Sequence, residues 1–374
     1  MKTFLKFILL ASMLLGLPLL GVFVSGAPVE LYLAFPPRSG NVHHAPFSWV
    51  AFALYSILIV GILTPFVLRG LKKRAQYGEH ERQARSFPWW GWTGVLAGIF
   101  SWLLAWTRFP WCRPLQLHTF TPLWLSFIVV MNGLSYRRRG HCLMLDRPLF
   151  FIALFPVSAA FWSFFEYLNR FVENWSYVLI PSSGWSYFWR ATPPFSTVLA
   201  AVLSTREWVN GMAWVSDGFR NWVRIDLRRS RAWASVVLVG AGLGLLGIGV
   251  WPNHLFSLLW IAPLVILLSL QALFGEENIF SGISQGDWQV VISSAGAALF
   301  CGWFWEMWNY YSLAKWTYAI PFVDRFRVFE MPILGYAGYL PFGLECAVIG
   351  DLLGQALQGV RVTNRTRLRD GKPR

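Results

Sequence analysis

Apolar runs of roughly 20 residues recur along the whole chain, and they restrict the fold more than any other feature. A helix of about 20 apolar residues spans the ~30 Å hydrocarbon core of a bilayer. Only 13% of the residues are charged, against about 25% in soluble domains. We predict an all-α polytopic membrane protein with about ten transmembrane helices. The predicted helices are 7–24, 47–68, 90–107, 119–136, 148–168, 194–213, 232–251, 254–273, 288–310 and 332–356.

The net charge of +14 is concentrated between these helices and after the last one. Lys and Arg cluster in 69–87, 137–147, 220–231 and 361–374, which fall on one side of the predicted membrane. The positive-inside rule makes that side cytoplasmic, with the C-terminus. We therefore expect a multi-pass protein of a bacterial cytoplasmic (inner) membrane. The expected partners are membrane lipids, not a nucleic acid. The run 7–24 is either a retained helix or a cleaved signal peptide.

Two aromatic stretches each place a carboxylate near the end of an apolar run. One is FFEYLNRFVENWSY with Glu166, and the other is FWEMWNYYSLAKWTY with Glu306. When the glutamates are aligned, an asparagine three residues later and a Trp-x-Tyr triplet also coincide. The matching positions are Asn169 with Asn309, Trp175 with Trp316, and Tyr177 with Tyr318.

The match extends beyond these stretches and predicts an internal repeat. Pro122 corresponds to Pro263, and the Pro194–Glu207 spacing equals the Pro332–Glu345 spacing. We predict two parallel three-helix repeats joined by one linking helix. The predicted regions are an N-terminal three-span region 1–118, repeat units 119–213 and 254–356, a basic loop with the linking helix at 214–253, and a basic tail 357–374.

Acids inside transmembrane helices are costly and usually face the bundle interior or a wet cavity. Burial keeps a carboxyl protonated, which is the state that a general acid needs. Glu and Asn at i and i+3 share a helix face, so we expect each asparagine to donate to its glutamate. Glu207 and Asp351 also lie in predicted helices, and Glu207 beside Arg206 favours a local ion pair. The candidate catalytic residues are Glu306, Glu345, Glu166, Asn309 and Asn169.

Aromatic faces near the acids are candidates for binding substrate, because their quadrupoles stabilise cations. These residues are Trp303, Trp305, Trp308, Trp316, Tyr318, Trp175 and Tyr177. The alternative is structural: Trp and Tyr anchor helices at membrane interfaces, and the acids cap helices or pair with Arg170, Lys315 or Arg325. The Cys and His residues have no ligand-like spacing, so neither a metal site nor a cofactor is expected.

The depth of Glu345 depends on where the last helix begins. A helix starting at Pro332 puts Glu345 about 20 Å into the membrane at 1.5 Å per residue. A helix restarting at Pro341 keeps Glu345 near Glu306. We favour the second geometry.

The pattern resembles the fused form of the heterodimeric-type lycopene cyclases, over about 122–350. The two stretches are similar to that family's tryptophan–acid segment followed by Trp-x-aromatic. GYAGYLPFGLE, Gly335–Glu345, resembles its Gly-then-Pro-x-Glu-Glu segment, although Pro341 is followed here by Phe-Gly-Leu and a single Glu345.

The resemblance implies an isomerase that acts on a hydrophobic, isoprenoid- or carotenoid-like small molecule without a demanded cofactor. An acid protonates a terminal alkene, the carbocation closes a ring, and a base removes a proton. Glu345 or Glu306 is the implied acid, with Asn309 orienting Glu306 and the tryptophans shielding the cation.

Two other functions stay open, a transporter or channel for a small or lipidic solute and a non-catalytic scaffold. An enzyme predicts a lateral apolar cavity ending at Glu306 and Glu345. A transporter predicts an axial wet path with the acids facing each other, and a scaffold predicts paired acids and no cavity. The oligomeric state is left open.

Overall fold

The computed structural model describes residues 2–38, 40–77, 85–179, 183–226 and 231–370. The remaining parts of the predicted basic loops and tail, 78–84, 227–230 and 371–374, lie outside the described residues. Helices dominate the described chain and the strands are two or three residues long. The prediction of an all-α protein is confirmed.

Helices of eight or more residues follow one another along the described chain. They are α1 Lys2–Ala11, α2 Leu17–Val24, α3 Trp49–Tyr77, α4 Trp89–Trp106, α5 Phe120–Arg139, α6 Pro148–Val172, α7 Gly184–Ser196, α8 Val198–Asn210, α9 Arg231–Gly247, α10 Leu258–Leu273, α11 Gln289–Tyr310 and α12 Tyr339–Asp370. The short helical segments are a π-helix Ser12–Gly16, α-helices Val29–Leu33, Arg113–Gln116, Leu143–Asp146, Ala213–Ser216 and Pro252–Leu255, and 3₁₀-helices Pro110–Cys112, Ser281–Gln285 and Ile333–Gly338.

Five described helical segments are long and apolar enough to cross a membrane, which indicates a membrane-embedded protein. They are Leu5–Val24, Trp49–Tyr77, Pro148–Val172, Gln289–Tyr310 and Ile333–Gln358. A sixth is obtained if α5 is combined with Pro110–Gln116, which meets it at 64°. The prediction of about ten transmembrane helices is therefore wrong for the described residues, although helices lie at all ten positions.

Length and composition explain the difference. α9 and α10 are apolar but have only 17 and 16 residues, which is short for the roughly 20 that a bilayer needs. α4 contains five tryptophans, which lower its mean hydropathy. The predicted repeat layout is also wrong, because the two units do not each contain three unbroken spanning helices.

The predicted helix 194–213 is divided at Thr197 into α7 and α8. Pro193 and Pro194 lie within α7, and proline removes a backbone donor. Ser158 on α6 bridges the break, since its hydroxyl donates to the Phe195 carbonyl and accepts from the Leu199 amide. The break is thus hydrogen-bonded within the protein, as irregular backbone at membrane depth must be.

The core lies where α6, α8, α11 and α12 pack together. Gly343 lets α12 approach α11 closely, because a Cβ there would lie 2.2 Å from the Ser294 carbonyl oxygen. Phe165 and Phe342 are fully buried in this core. By contrast, α3 contacts the bundle mainly near Ala213–Ser216 and Ile333–Gly338, and no residue of its most apolar stretch is buried.

Two short antiparallel strand pairs lie at one end of the helices, here called the strand end. β1 Trp175–Tyr177 follows α6 and pairs with β2 Trp316–Tyr318, which follows α11. β3 Arg327–Val328 pairs with β4 Met331–Pro332. The opposite end, where α5 ends in Arg137–Arg139 and α6 begins, is called the basic end.

Candidate functional site

The β1–β2 pair joins the two stretches that align in the sequence. Trp175 lies opposite Tyr318, and Tyr177 lies opposite Trp316, with Ser176 and Thr317 paired between them. Two antiparallel strands are related by a local two-fold axis. The ends of α6 and α11, with their strands, therefore form two equivalent corners, called the first corner (Glu166 to Tyr177) and the second corner (Glu306 to Tyr318).

The two asparagines hydrogen-bond the backbone of the strands and do not bond the glutamates. Asn309 accepts from the Trp316 amide at 2.9 Å and donates to the Trp316 carbonyl at 2.8 Å. Asn169 makes the same two bonds with Trp175, at 3.3 and 2.7 Å. The prediction that each asparagine donates to its glutamate is wrong, because the returning strand supplies both bonding groups of the amide.

Glu306 is completely buried, and two tyrosines donate to the same carboxyl oxygen. The hydroxyls of Tyr318 and Tyr339 each lie 2.7 Å from Oε1. The Trp316 indole N–H in turn donates to the Tyr318 hydroxyl at 2.7 Å. Oε2 has no hydrogen-bond partner among the described residues. Glu306 therefore terminates a Trp–Tyr–Glu chain, and its second oxygen is left without a donor from the described part of the chain.

Gly302 makes the contact between Tyr339 and Glu306 possible. It lies one helical turn before Glu306, and a Cβ at this position would lie 2.4 Å from the Tyr339 ring. The ring rests against α11 and stacks on Trp305, with centroids 5.8 Å apart and an angle of 18°. Any larger residue at 302 would force the tyrosine to move.

Glu166 is held by three donors, all on Oε1. The indoles of Trp162 and Trp175 donate at 3.0 and 3.1 Å, and the Tyr177 hydroxyl donates at 2.6 Å. Trp162 lies four residues before Glu166, so the two share a helix face. Aromatic N–H and O–H groups thus satisfy this buried carboxyl without a cation.

The alternative in which the glutamates form ion pairs does not fit the described contacts. Arg170 donates to the backbone carbonyls of Tyr32 and Ala34. Lys315 pairs with Glu330, and Arg325 lies over aromatic rings at the start of α3. None of these three cations forms a close ion pair with Glu166 or Glu306 among the described residues.

The expected pair of Arg206 with Glu207 is also wrong. Glu207 accepts from the Leu143 amide at 2.5 Å, and the His141 ring nitrogen lies 3.9 Å away. Arg206 instead faces the charge of Asp351. Successive helical side chains point in directions about 100° apart, so neighbours in sequence do not meet on one face.

The strand tyrosines at the two corners stay protonated. Burial, followed by the charge of the adjacent glutamate, raises the pKa of the Tyr318 phenol well above its usual range. The same two causes raise the pKa of Tyr177. Both hydroxyls therefore act as donors to the carboxyls beside them.

A long apolar cavity of about 990 Å³ lies between α3 and the bundle. One face of α3 lines it, at positions three or four residues apart, from Tyr55 near the strand end to Arg74 near the basic end. These positions span about 28 Å at 1.5 Å per residue, close to the thickness of a hydrocarbon core. The α3 residues are Tyr55, Leu58, Ile59, Ile62, Leu63, Phe66, Val67, Gly70, Leu71 and Arg74.

The strand end of the cavity is walled by the aromatic residues that hydrogen-bond the glutamates, together with Trp305 and Trp316. The aromatic residues are Trp162, Trp175, Tyr177, Trp305, Trp316, Tyr318 and Tyr339. Glu166 and Glu306 lie behind this wall and do not themselves line the cavity. A proton exchanged with the cavity contents would therefore pass through a tyrosine hydroxyl.

Two predicted substrate-binding tryptophans lie outside the cavity wall. Trp303 is 48% exposed and contacts Phe329. Trp308 is buried against Trp124 and Phe127. Of the three tryptophans of α11, only Trp305 lines this cavity, and a substrate-binding role for Trp303 and Trp308 stays a prediction.

Glu345 also lies away from the cavity. It is 1% exposed, neither oxygen has a hydrogen-bond partner of normal geometry among the described residues, and the backbone of Leu264 is its polar neighbour. Pro341 and Leu344 occupy the cavity side of α12.

α12 begins at Tyr339, before Pro341, and Glu345 lies at the middle of the span Ile333–Gln358. Gly343 already packs on Ser294, about three helical turns from Glu306 along α11, so the favoured position of Glu345 near Glu306 is wrong. The cavity does not end at Glu345 as expected for an enzyme.

Three parts of the site were not predicted from the sequence. The contact of Trp162 with Glu166 was predictable, because the two residues are four positions apart on one helix. Tyr339 lay in the stretch GYAGYLPFGLE but gave no local sign of its contact with α11. The sequence also does not show which face of α3 lines the cavity, because apolar residues occur on all sides of that helix.

No protein-family model, curated protein or solved structure matches this chain.

Proposed function

We propose that the chain is an integral membrane enzyme that cyclises a long hydrophobic, isoprenoid- or carotenoid-like substrate by acid–base chemistry. One observation carries the proposal: an apolar cavity as long as a hydrocarbon core ends on tyrosine hydroxyls that rest on buried glutamates. Such a cavity suits an extended hydrocarbon chain that comes from the membrane, with one end among the aromatic rings.

The second corner supplies the proton in this mechanism. In the reacting state the hydrogen bond between Tyr318 and Glu306 reverses: the protonated Glu306 carboxyl gives its proton to the Tyr318 oxygen while Tyr318 gives its hydroxyl proton to a terminal carbon–carbon double bond. The Trp316 N–H donates to the same phenol oxygen and makes its proton easier to release. A second double bond of the substrate attacks the carbocation and closes a ring. The cation then loses a proton to the Tyr318 oxygen while Tyr318 returns its hydroxyl proton to the Glu306 carboxylate. This step forms a new double bond, so the product is an isomer and Glu306 is reprotonated.

The aromatic wall stabilises the cationic intermediate. Indole and phenol faces attract a cation within about 6 Å of the ring centroid. Trp305, Trp175 and Trp316 present such faces at the strand end of the cavity. The wall also excludes water, which would otherwise trap the cation as an alcohol.

Transport and a scaffold role explain the site less well. A conducting path needs polar groups along its length, whereas this cavity has an almost entirely apolar lining. Each glutamate is held by donors of its own corner or of α12, and the two do not face each other across an open path. A scaffold role gives no reason for the cavity.

We also propose that the two corners arose by duplication of a parallel unit with a glutamate, an asparagine and a Trp-x-Tyr strand. The local two-fold relation of β1 and β2 supports this. The concentration of Lys and Arg at the basic end supports a cytoplasmic location for that end and for the C-terminus, in a bacterial inner membrane.

The test is expression of the full chain in a host that accumulates lycopene, with the pigments separated by chromatography. Lycopene is the first substrate to try because of the family resemblance. The wild-type chain should form cyclised product, and Glu306→Gln should not. Glu276→Gln, which changes an exposed acid paired with Lys6, is the matched control and should leave the product unchanged. Unaltered lycopene beside abundant, folded wild-type protein would overturn the proposal for this substrate.

A further inference from the structure

A second cavity of about 540 Å³ lies at the basic end, on the opposite side of the molecule from the two corners. Parts of α5, α6, α8, α10 and α12 form its wall, together with the loop after α10. Unlike the cavity beside α3, it is mostly polar. Its charged residues are Arg139, Arg147, Arg206, Glu207, Glu277 and Asp351.

The three guanidinium groups have hydrogen-bonding capacity to spare. None of them makes a hydrogen bond or a close ion pair with a described residue, although Asp351 acts electrostatically on Arg206 and Arg147. Arg147 packs directly against α12, where its Nη2 would lie 3.4 Å from a Cβ at Gly354. Guanidinium groups bind phosphate oxygens with two parallel hydrogen bonds.

Gln271 adds an independent sign of a ligand. This side chain is 4% exposed, lines the cavity, and has no partner for its Oε1 among the described residues. An amide oxygen accepts hydrogen bonds but cannot donate them. A buried acceptor left unpaired is destabilising, so the site calls for a ligand that supplies an N–H or O–H group.

We propose that this cavity binds a zwitterionic ligand with a phosphate and a primary ammonium, the chemistry of a phosphoethanolamine group. The arginines bind the phosphate, while Asp351 and Gln271 accept hydrogen bonds from the ammonium. Equal numbers of positive and negative side chains line the cavity, which suits a zwitterion better than a simple anion. The ligand is either a lipid headgroup or the free molecule. This inference is independent of the proposed cyclisation.

The test uses the full chain, purified in detergent and freed of bound lipid. Thermal unfolding is followed as one ligand at a time is added. The ligands are phosphatidylethanolamine, phosphatidylcholine and phosphatidylglycerol with the same acyl chains, and free phosphoethanolamine. Phosphatidylethanolamine should bind about tenfold more tightly than phosphatidylcholine, whose quaternary ammonium has no N–H to donate. Stabilisation by free phosphoethanolamine would show that the polar group suffices, and stabilisation by the lipid alone would identify a lipid headgroup site. Equal effects of the three lipids, with none from the free molecule, would overturn the proposal.

Variants separate the two halves of the ligand. Gln271→Met should weaken phosphatidylethanolamine binding about tenfold and leave phosphatidylcholine binding unchanged. Arg206→Gln should weaken both, because both carry phosphate. Arg220→Gln removes an exposed arginine outside the cavity and should change neither. If Arg206→Gln does not fold, Asp351→Asn takes its place and should reduce the preference for the primary ammonium. If Gln271→Met and the charge variant used (Arg206→Gln or Asp351→Asn) both bind the lipids as the wild type does, the proposed site is wrong.

Discussion

The two corners share a backbone but not a hydrogen-bond pattern. In the first, three donors saturate one oxygen of Glu166, and the strand tryptophan donates directly to the acid. In the second, the strand tryptophan donates to the Tyr318 hydroxyl, which itself donates to Glu306. Equivalent backbone thus places the two acids in different hydrogen-bond environments.

One pair of equivalent positions accounts for much of the divergence. Trp162 and Gly302 each lie four residues before their glutamate. The tryptophan donates an N–H from the same helix, whereas the glycine leaves space for Tyr339 to approach from α12. All described donors to Glu166 come from α6 and β1 of the first corner, whereas one donor to Glu306 comes from another helix, α12. We infer that Glu306 is the reactive acid and that Glu166 mainly supports the cavity wall.

The largest expected difference between the corners is the effect of removing each acid. Glu306→Gln should lower the rate of cyclisation at least about 100-fold, since a positioned general acid contributes roughly 10²–10⁴-fold. Glu166→Gln keeps an acceptor for the aromatic donors and should cost about tenfold or less. Product formed per amount of folded protein is the measurement. Equal losses would contradict the assignment of different roles.

The next largest difference concerns the strand tyrosines. Tyr318→Phe removes the hydroxyl between Glu306 and the cavity and should slow cyclisation by about tenfold or more. It also leaves the Trp316 indole without its acceptor. Tyr177→Phe removes one of three donors to Glu166 and is the matched control, with an expected loss of only a few fold. A larger loss at 177 would move the proton path to the first corner.

Part of this site was predictable from the sequence. The apolar runs located the helices, because hydrophobic length is a local property. The alignment of Glu166 with Glu306 predicted that the two stretches form equivalent structures, and the pairing of their strands agrees with it. The aromatic residues of both Trp-x-Tyr triplets were correctly placed near the acids.

The rest depended on tertiary contacts that no local pattern encodes. Both asparagines share a helix face with their glutamates, yet the amides bond the returning strands, and only the folded chain decides between the two. Glu345 differs from the cavity-lining Leu344 by one residue, or about 100° of helix rotation. The number of spanning helices was overestimated because apolar composition alone does not make a span. The proline pair lies in α7 just before the break at Thr197, and α9 and α10 are too short to cross a bilayer.

A smaller effect is expected from the position that distinguishes the corners. Gly302→Ala should displace Tyr339 from Glu306 and slow cyclisation by a few fold, because Tyr318 still donates to the acid. Gly240 on α9 is the control, since it lies outside the cavity lining and has open space around its missing Cβ. Gly240→Ala should leave the rate unchanged. Similar rates for both variants would show that the contact with Tyr339 does not matter for the acid.

The smallest expected difference is at the asparagines, where the corners are alike. Asn309→Leu and Asn169→Leu each remove two hydrogen bonds to the backbone of a strand tryptophan. Each should lower the free energy of unfolding by about 1–3 kcal/mol, the cost of leaving buried backbone groups unpaired. Unfolding in mixed micelles with increasing denaturant measures both. The two losses should agree within about 0.5 kcal/mol, the scatter seen for independent sites. A much larger loss at Asn309 would mean that the asparagine supports the acid as well as the strand, and the corners would then differ in their backbone too.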